Sequence, residues 1–311
     1  MQVKTIEKQI KSKLDKWLET ISDEKLRAEV KSNLLVSGGC ISSMFLNEPV
    51  NDYDVYLMNI DTVKNVCKYY SVKYSEDIVI LDGRKKENLV DEYNFNYQNG
   101  GEEMPIDRNN GYAISLRNLK PNQIKLHFNS LNGGLKVNEG LDESELNFTP
   151  LYFSPNAISL SNDLQIVLRF SGTPKEIHET FDFVHATNYF TYKDGLVRSL
   201  DAIESILTKQ LKYQGSHYPV TSIIRSKKFV KRGFNISAGE MLKIMFQISQ
   251  LNLSDPEVLE EQLIGVDVAY FDLLIKALRD KFEKDEDFEI STNYFNKLID
   301  KIFNENSLDE L

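Results

Sequence analysis

The chain has 311 residues, of which 41% are hydrophobic and 11% aromatic, and its formal net charge is −10. This apolar content excludes a chain that is disordered throughout. The length exceeds the roughly 250–300 residues at which a single hydrophobic core stops growing, so two lobes are expected. The negative charge argues against a chain coated by nucleic acid, although a local basic groove is compatible with it.

The cysteine content and the hydropathy point to a reduced intracellular protein. Cys40 and Cys67 are too few for a disulfide framework, and they lack the spacing of a metal-binding pair. The first thirty residues are rich in Lys, Asp and Glu, so no secretory leader is predicted. No apolar stretch reaches the roughly 20 residues that span a bilayer. We therefore expect a cytoplasmic protein without a membrane partner.

The N-terminal region predicts two helices before the first strand. Apolar side chains recur every three or four residues over 3–20, as on one face of an amphipathic helix, and a second helix is expected after Ser22. The apolar run 34–36 predicts a short strand that ends in a Gly-Gly turn. A helix over 40–46 follows and is ended by the Asn-Glu-Pro sequence at 47–49.

The next segments predict alternating strands and helices, followed by an insertion. Residues 52–57 alternate in the manner of a strand, a helix is expected over 61–69, and 78–81 is a second apolar strand. The region of about 83–150 is predicted to be an inserted loop region, and its part 83–110 is polar and rich in Gly and Asn. Two short strands are expected within it, over 111–117 and 124–128.

The C-terminal part changes character near residue 195. Strands are predicted over 165–170 and 181–185, on either side of a short helix that begins with a capping box at Thr173. Helices alone are predicted beyond residue 195. The expected fold is therefore α+β, with a mixed sheet and flanking helices in a catalytic domain over 1–195. An all-helical, substrate-binding lobe is expected over 196–311.

A Gly-Gly turn between a strand and a helix is the first candidate for chemistry. Gly38 and Gly39 allow the backbone to approach a ligand closely, and the helix start that follows favours an anion such as phosphate. The hydroxyls of Ser37 and Ser42 could add hydrogen bonds to phosphate oxygens. A Gly-Gly turn taken alone is more often structural than functional.

An acidic pair follows this turn after twelve residues. Asp52 and Asp54 are two positions apart on a predicted strand, so their carboxylates are expected on the same face. Two unpaired carboxylates repel each other, and divalent cations such as Mg²⁺ relieve that repulsion. A lone Asp-x-Asp is usually a solvated strand edge, but the preceding Gly-Gly-x-x-Ser favours a phosphate-transfer site.

This pattern resembles the DNA polymerase β-like nucleotidyltransferase superfamily. The likeness rests on 34–57, and within the superfamily it is nearest to poly(A) polymerases and CCA-adding enzymes. A softer likeness over 150–235, including 165–167 and 181–185, is to nucleotidyltransferases encoded by large phages. The chain departs from bacterial poly(A) polymerases by having Ser42-Ser43 where those enzymes carry Arg-Asp.

The resemblance implies a role for each matching residue. Gly38 and Gly39, with Ser37 or Ser42, would hold the nucleoside triphosphate, for which ATP is expected. Asp52 and Asp54 would bind Mg²⁺ or Mn²⁺. Many members use a third carboxylate, for which we select Asp182, since an acid between two buried neighbours on a strand needs a partner or a metal. Asp82 is the second choice.

A basic cluster lies in the predicted helical lobe. Positive charges concentrated within eight residues of an acidic chain could line a groove for triphosphate or for a nucleic-acid backbone, although a solvated helix face is the alternative. Nearby aromatic residues, Tyr213, Tyr218 and Phe234, could stack a base or belong to the core. The basic cluster consists of Arg225, Lys227, Lys228, Lys231 and Arg232, of which the last four are assigned to nucleotide binding.

These observations predict a metal-dependent enzyme that transfers a nucleoside monophosphate from NTP to an acceptor hydroxyl and releases pyrophosphate. An RNA 3′ end is the expected acceptor. The first alternative is the same chemistry on a protein or a small molecule. The second alternative is an inactive nucleotidyltransferase fold that acts as a binding module.

Overall fold

The computed structural model describes most of the chain and divides it into two compact units. The first unit comprises 1–178 and 185–206, and the second comprises 179–184 and 207–311. The strand predicted over 111–117 and most of the insertion predicted over 83–110 lie outside the described residues. The described residues are 2–71, 74, 78–85, 119–128, 134–138, 140–141, 146–253, 255–262, 278, 280–281 and 291–304.

Two N-terminal helices cover the core of the first unit, as predicted. Helix α1 (Val3–Thr20) buries the apolar face that its sequence period indicates, including a fully buried Trp17. The indole N–H of Trp17 donates to the hydroxyl of Tyr70 at 2.9 Å, so this polar group is satisfied within the core. Helix α2 (Glu24–Asn33) is capped by Asp23, whose carboxylate accepts from the backbone N–H groups of Lys25 and Leu26.

The centre of the first unit is a mixed sheet of eight strands. Strand β1 (Leu34–Ser37) pairs antiparallel with β2 (Tyr53–Leu57), and helix α3 (Gly39–Leu46) connects them. The predicted strands and helix in this region are confirmed. Strand β2 is buried on the face that carries Val55 and Leu57, both of which are fully buried in the core. Helix α4 (Ile60–Ser71) follows β2 and packs against α2.

The remaining strands of the first unit extend this sheet on both sides. Its order is β10-β9-β1-β2-β8-β7-β6-β5, in which β2 and β8 are parallel and the other neighbours are antiparallel. Strands β3 and β4 form a separate antiparallel pair. The bounds are β3 Ile78–Asp82, β4 Ile124–Phe128, β5 Leu135–Lys136, β6 Pro150–Phe153, β7 Ala157–Leu160, β8 Leu164–Val167, β9 Tyr189–Thr191 and β10 Gly195–Val197.

The second unit is mainly helical in its described part, and it also contains a short parallel pair of strands. Helix α5 (Pro174–His178) belongs to the first unit, and α6 (Leu200–Thr208) leads from the first unit into the second. The elements that follow are β11 Gln210–Leu211, α7 Pro219–Lys231, β12 Asn235–Ile236, α8 Ala238–Ile248, α9 Pro256–Gln262 and α10 Thr292–Asn304. The α+β class is thus confirmed. The part beyond residue 195 is not purely helical, since β10, β11 and β12 lie there.

The predicted strand over 181–185 is wrong. This segment contains a bend, an isolated bridge between Phe183 and Tyr213, and a short 3-10 helix over Val184–Ala186. Alternating apolar side chains predicted the strand, but here they pack a loop into the unit rather than continue the sheet.

The capping box at the start of α5 is confirmed, because the Glu176 carboxylate accepts from the Thr173 N–H at 2.7 Å. Among the helices that the structure describes, none combines the length and the hydropathy of a membrane-spanning segment.

A buried hydroxyl fastens the end of β1 to the segment before β9. Ser37 Oγ donates to the carbonyl oxygen of Asn188 at 2.8 Å and also lies 3.1 Å from that of Ala186. The hydroxyl therefore accepts from Nε2 of His178, which lies 2.9 Å away. Burial lowers the pKa of His178 to about 4, so the ring is neutral at physiological pH.

The titration of His178 predicts a pH dependence of stability. The pKa of His178 is about 4 in the folded chain and 6.5 in the unfolded chain. The contribution of the neutral ring to the free energy of unfolding is therefore fully present above pH 6.5 and is lost as the pH falls toward 4. The loss is at most about 3 kcal/mol and is reduced by partial solvent exposure. Denaturant titrations should show that the free energy of unfolding decreases more between pH 7 and pH 5 for the wild-type chain than for His178→Gln. That variant keeps an N–H donor for Ser37 and has no proton to gain. Equal decreases would contradict this account.

Candidate functional site

The turn after β1 has a backbone conformation that requires glycine. Gly38 has φ +93° and ψ −152°, a region that is essentially restricted to glycine. A Cβ added to Gly38 would lie 3.2 Å from Oδ2 of Asp54. The backbone of the turn and the carboxylate of Asp54 are therefore in close approach.

The register of the central strands sets this approach. Ser37, the last residue of β1, is paired with Asp54 on β2. Asp54 is half-buried, and Asp52 is exposed immediately before the strand begins. The backbone N–H of Tyr53 donates to the carbonyl oxygen of Asp163 at 2.8 Å, which holds the start of β2 in line with β8. Two carboxylates thus stand two residues apart where β2 begins.

Open space adjoins the same turn. A Cβ added to Gly39 would have no neighbouring atom within 4 Å, and α3 begins at this residue. The first N–H groups of a helix lack partners within the helix, and they favour an anion. The site therefore presents a helix start and a carboxylate next to a surface that a ligand can reach.

The hydroxyls of Ser37 and Ser42 have other roles than the predicted contact with phosphate. Both side chains are buried, and Ser42 Oγ donates to the carbonyl oxygen of His185 at 2.8 Å. Together with the bonds of Ser37, this fixes 185–188 against the turn and α3. The prediction that these hydroxyls bind phosphate is corrected, because their hydrogen bonds are made within the protein.

Cys40 is an inert member of the same region. Its thiol is buried at the start of α3, and burial, followed by the charge of Asp54, raises the pKa of Cys40 well above its usual range. The thiol is therefore protonated at neutral pH and contributes no nucleophile.

Asp182 is placed differently from the prediction. It belongs to the second unit and lies at a bend rather than on a strand of the sheet. Its carboxylate is buried and accepts from the guanidinium of Arg225 at 3.1 Å. This ion pair explains the buried acid without a metal, so the argument that selected Asp182 as a third metal ligand no longer holds.

Asp82, the second choice, is also explained by ion pairs. Its buried carboxylate lies 3.1 Å from Nζ of Lys64 and 2.8 Å from Nη2 of Arg84. The Arg84 guanidinium holds the pKa of Asp82 well below its usual range. Arg84 also contacts Asp61 at 2.7 Å, so the group is a network that fastens β3 to α4. Within the described residues, no group of three or more His, Cys, Asp or Glu side chains could hold a metal ion.

The basic cluster lies on α7 and just after it. Lys227, Lys228 and Lys231 are exposed, and Arg232 is half-buried. Arg225 forms the ion pair with Asp182 and is therefore not available as a clamp. The aromatic residues suggested for stacking, Tyr213, Tyr218 and Phe234, are all buried and belong to the interior of the second unit.

The Gly38 turn yields a prediction with a matched control. Gly38→Ala should lower the free energy of unfolding by about 1–3 kcal/mol, because alanine is strained at this φ and ψ and its Cβ would crowd Asp54. Gly39→Ala should be neutral or stabilising by up to about 1 kcal/mol, because α3 begins there in open space. Thermal and denaturant unfolding of both variants measure the difference. Equal effects would show that the Gly38 conformation is not as described.

Several solved structures resemble the chain at low similarity. A Thermotoga maritima CCA-adding enzyme complexed with tRNA is 11% identical, with a TM-score of 0.36 over 92% of this chain and 58% of that one. A Bacillus stearothermophilus CCA-adding enzyme in complex with CTP is 9% identical, with a TM-score of 0.33 over 80% of this chain and 47% of that one. These values are too low to assign an activity.

Sequence comparison gives a family. The protein named Gabija anti-defense 2 from Bacillus phage SPbetaL7 is 20% identical over 292 residues, which cover 93% of this chain and 54% of that protein. The chain thus spans about half the length of this relative. The Gabija anti-defense 2 family matches residues 8–209, which include the Gly38 turn, Asp52 and Asp54. The chain belongs to the Gabija anti-defense 2 family.

Proposed function

We propose that this chain is a nucleotidyltransferase that transfers a nucleoside monophosphate from NTP to an acceptor hydroxyl and releases pyrophosphate. The observation that carries the proposal is the close approach of the Asp54 carboxylate to the Gly38 turn at the start of α3. The sequence pattern that resembles nucleotidyltransferases is formed by these same residues. The proposal assigns the reaction to the first unit.

The turn and the helix start would bind the triphosphate. The N–H of Gly38 donates to the carbonyl oxygen of Ala186 at 3.1 Å. Gly39 carries no side chain and adjoins open space, so phosphate oxygens can approach the N–H groups at the start of α3. The N-terminal end of α3 favours their negative charge. A triphosphate fixed here would lie near the Asp54 carboxylate, and such positioning supplies much of the rate in phosphoryl chemistry.

The acidic pair fits Mg²⁺ or Mn²⁺. Asp52 and Asp54 offer hard oxygen ligands, and Gly38 has no side chain that would crowd Oδ2 of Asp54 on the side of the turn. When bound, divalent ions would activate the attacking hydroxyl and stabilise charge on the leaving pyrophosphate. The two carboxylates would hold these ions, and we do not assign Asp182 as a third ligand, because its carboxylate pairs with Arg225.

The acceptor that we propose is an RNA 3′ end, and the expected donor is ATP. The exposed lysines of the basic cluster, which lie in the second unit, carry charges that suit a phosphate backbone. Neutralising several phosphates would make acceptor binding weaken as the salt concentration rises.

The family name favours a second acceptor class. The relative from Bacillus phage SPbetaL7 is named for action against Gabija defense. We therefore propose that nucleotidyl transfer by this chain serves counter-defense in the host cytoplasm. A protein of the defense carrying an acceptor hydroxyl is the second candidate, and it requires the same donor site.

Removing either carboxylate should abolish the reaction. We expect Asp52→Asn and Asp54→Asn to reduce metal-dependent incorporation of α-labelled NTP by more than about 100-fold, because a neutral amide is a poor metal ligand. Asp201→Asn, at an exposed position in α6, is the matched control and should retain activity. The assay offers total RNA, a protein extract and small hydroxyl compounds as acceptors.

The fate of the label separates the acceptor classes. Label that is removed by ribonuclease supports the RNA 3′ end, and label that is removed by protease supports the second candidate. Absence of incorporation with every acceptor class would contradict the proposed reaction and favour an inactive fold that acts as a binding module. Activity that survives both Asp substitutions would place the chemistry elsewhere in the chain.

A further inference from the structure

A pocket in the second unit is not used by the proposed reaction. It has a volume of about 390 Å³, within the size range of small-molecule sites, and it lies between the loop after β11 and helix α8. The pocket, called here the Gly215 pocket, is lined by Tyr213, Gln214, Gly215, Lys243, Phe246 and Gln247.

The orientation of the Gln247 amide is fixed by its partners. The backbone N–H of Ser216, which can only donate, lies 3.1 Å from Oε1 of Gln247. The hydroxyl of Tyr213 donates to the same oxygen, and burial raises the pKa of Tyr213 to about 12, so this hydroxyl keeps its proton. Nε2 must therefore face away from these donors, and it offers N–H groups rather than an acceptor.

The backbone beside this amide leaves room for a ligand. Gly215 has φ +105°, and a Cβ added to it would lie 3.8 Å from Nε2 of Gln247. The missing side chain therefore keeps the amide N–H groups uncovered where they meet the pocket.

A second donor stands one helical turn away. Lys243 and Gln247 are four residues apart on α8, so they project from the same face of the helix. The Lys243 ammonium donates to Oε1 of Glu240 at 2.8 Å, and Oε2 of Glu240 accepts from the N–H of Tyr213. This contact positions the ammonium and partly neutralises its charge, while two of its three N–H groups remain for a ligand.

The pocket also contains an aromatic side chain that is mostly exposed. Phe246 is 68% exposed, although it is a large apolar residue on a structured helix. Aromatic faces of this kind stack flat ligands such as nucleobases. Tyr213, in contrast, is buried and forms part of the wall.

We propose that the Gly215 pocket binds a guanine base. Phe246 stacks on the base, and the N–H groups of Gln247 and Lys243 donate to its O6 and N7 atoms. Guanine presents two acceptors on this edge, whereas adenine presents one acceptor and one donor. The donor set therefore selects guanine, either as a free nucleotide or within single-stranded RNA. The residues that line this pocket do not include those of the Gly38 turn.

Binding of base analogues by the full chain tests the proposal. Titration calorimetry in EDTA, which removes the metal that the Gly38 site requires, would use GMP, IMP, 7-deaza-GMP and AMP, and a short RNA with and without one guanosine. GMP and IMP should bind alike, because both present O6 and N7. AMP and 7-deaza-GMP should bind about tenfold or more weakly. Binding of the RNA alone identifies RNA as the source of the base, and binding of free GMP identifies a nucleotide ligand.

Substitutions on α8 supply the matched variants. Gln247→Glu retains an oxygen for the donors at Ser216 and Tyr213 but removes the N–H groups, so GMP binding should fall about tenfold or more. Phe246→Ala should reduce it at least about fivefold through lost stacking. Leu242→Ala, which is 63% exposed on the same helix outside the pocket, should bind GMP as the wild type does.

Several results would overturn the proposal. These are equal binding of GMP and AMP, unchanged binding by Gln247→Glu, and absence of binding to both GMP and guanosine-containing RNA. Asp54→Asn should leave guanine binding unchanged, so failure of the proposed reaction and failure of this site are distinguishable.

Discussion

The antiparallel pairing of β1 with β2 is the constraint on which the proposed site depends. It sets Ser37 opposite Asp54, and the next residue, Gly38, turns the chain so that its backbone meets the Asp54 carboxylate. A shift of one residue in this register would turn Asp54 into the core and Val55 outward. The buried side chains of Val55 and Leu57 therefore fix the Asp54 carboxylate on the opposite face of β2, so core packing and the geometry of the proposed site have the same cause.

The support behind the turn is equally specific. The side chains of Ser37 and Ser42 bind the segment 185–188 through hydrogen bonds to its backbone carbonyl groups. His178 completes this arrangement as a neutral donor to Ser37. The hydroxyls thus stabilise the position of the Gly-Gly turn.

Local pattern was sufficient to predict the elements around the site, because helix periodicity, a Gly-Gly turn and strand alternation all depend on near neighbours. It was insufficient where partners lie far apart in sequence. In the sequence, Ser37 and Ser42 have the pattern of phosphate ligands, but in the folded chain their hydroxyls donate to carbonyl oxygens more than 140 positions away. Asp182 has the sequence context of a metal ligand, but in the folded chain its carboxylate pairs with Arg225. Phe246 and Gln247 gave no signal in the sequence, because exposure and amide orientation arise only from the folded loop after β11.

The proposed reaction cleaves NTP between the α- and β-phosphates and transfers the nucleoside monophosphate, with its α-phosphate, to an acceptor. The most direct measurement compares ATP labelled at the α-phosphate with ATP labelled at the γ-phosphate, each incubated with the chain, Mg²⁺ and the acceptor pools. The account predicts that α-label enters an acceptor while γ-label is released only as pyrophosphate. Transfer of γ-label to an acceptor, or release of inorganic phosphate without α-label incorporation, would contradict it.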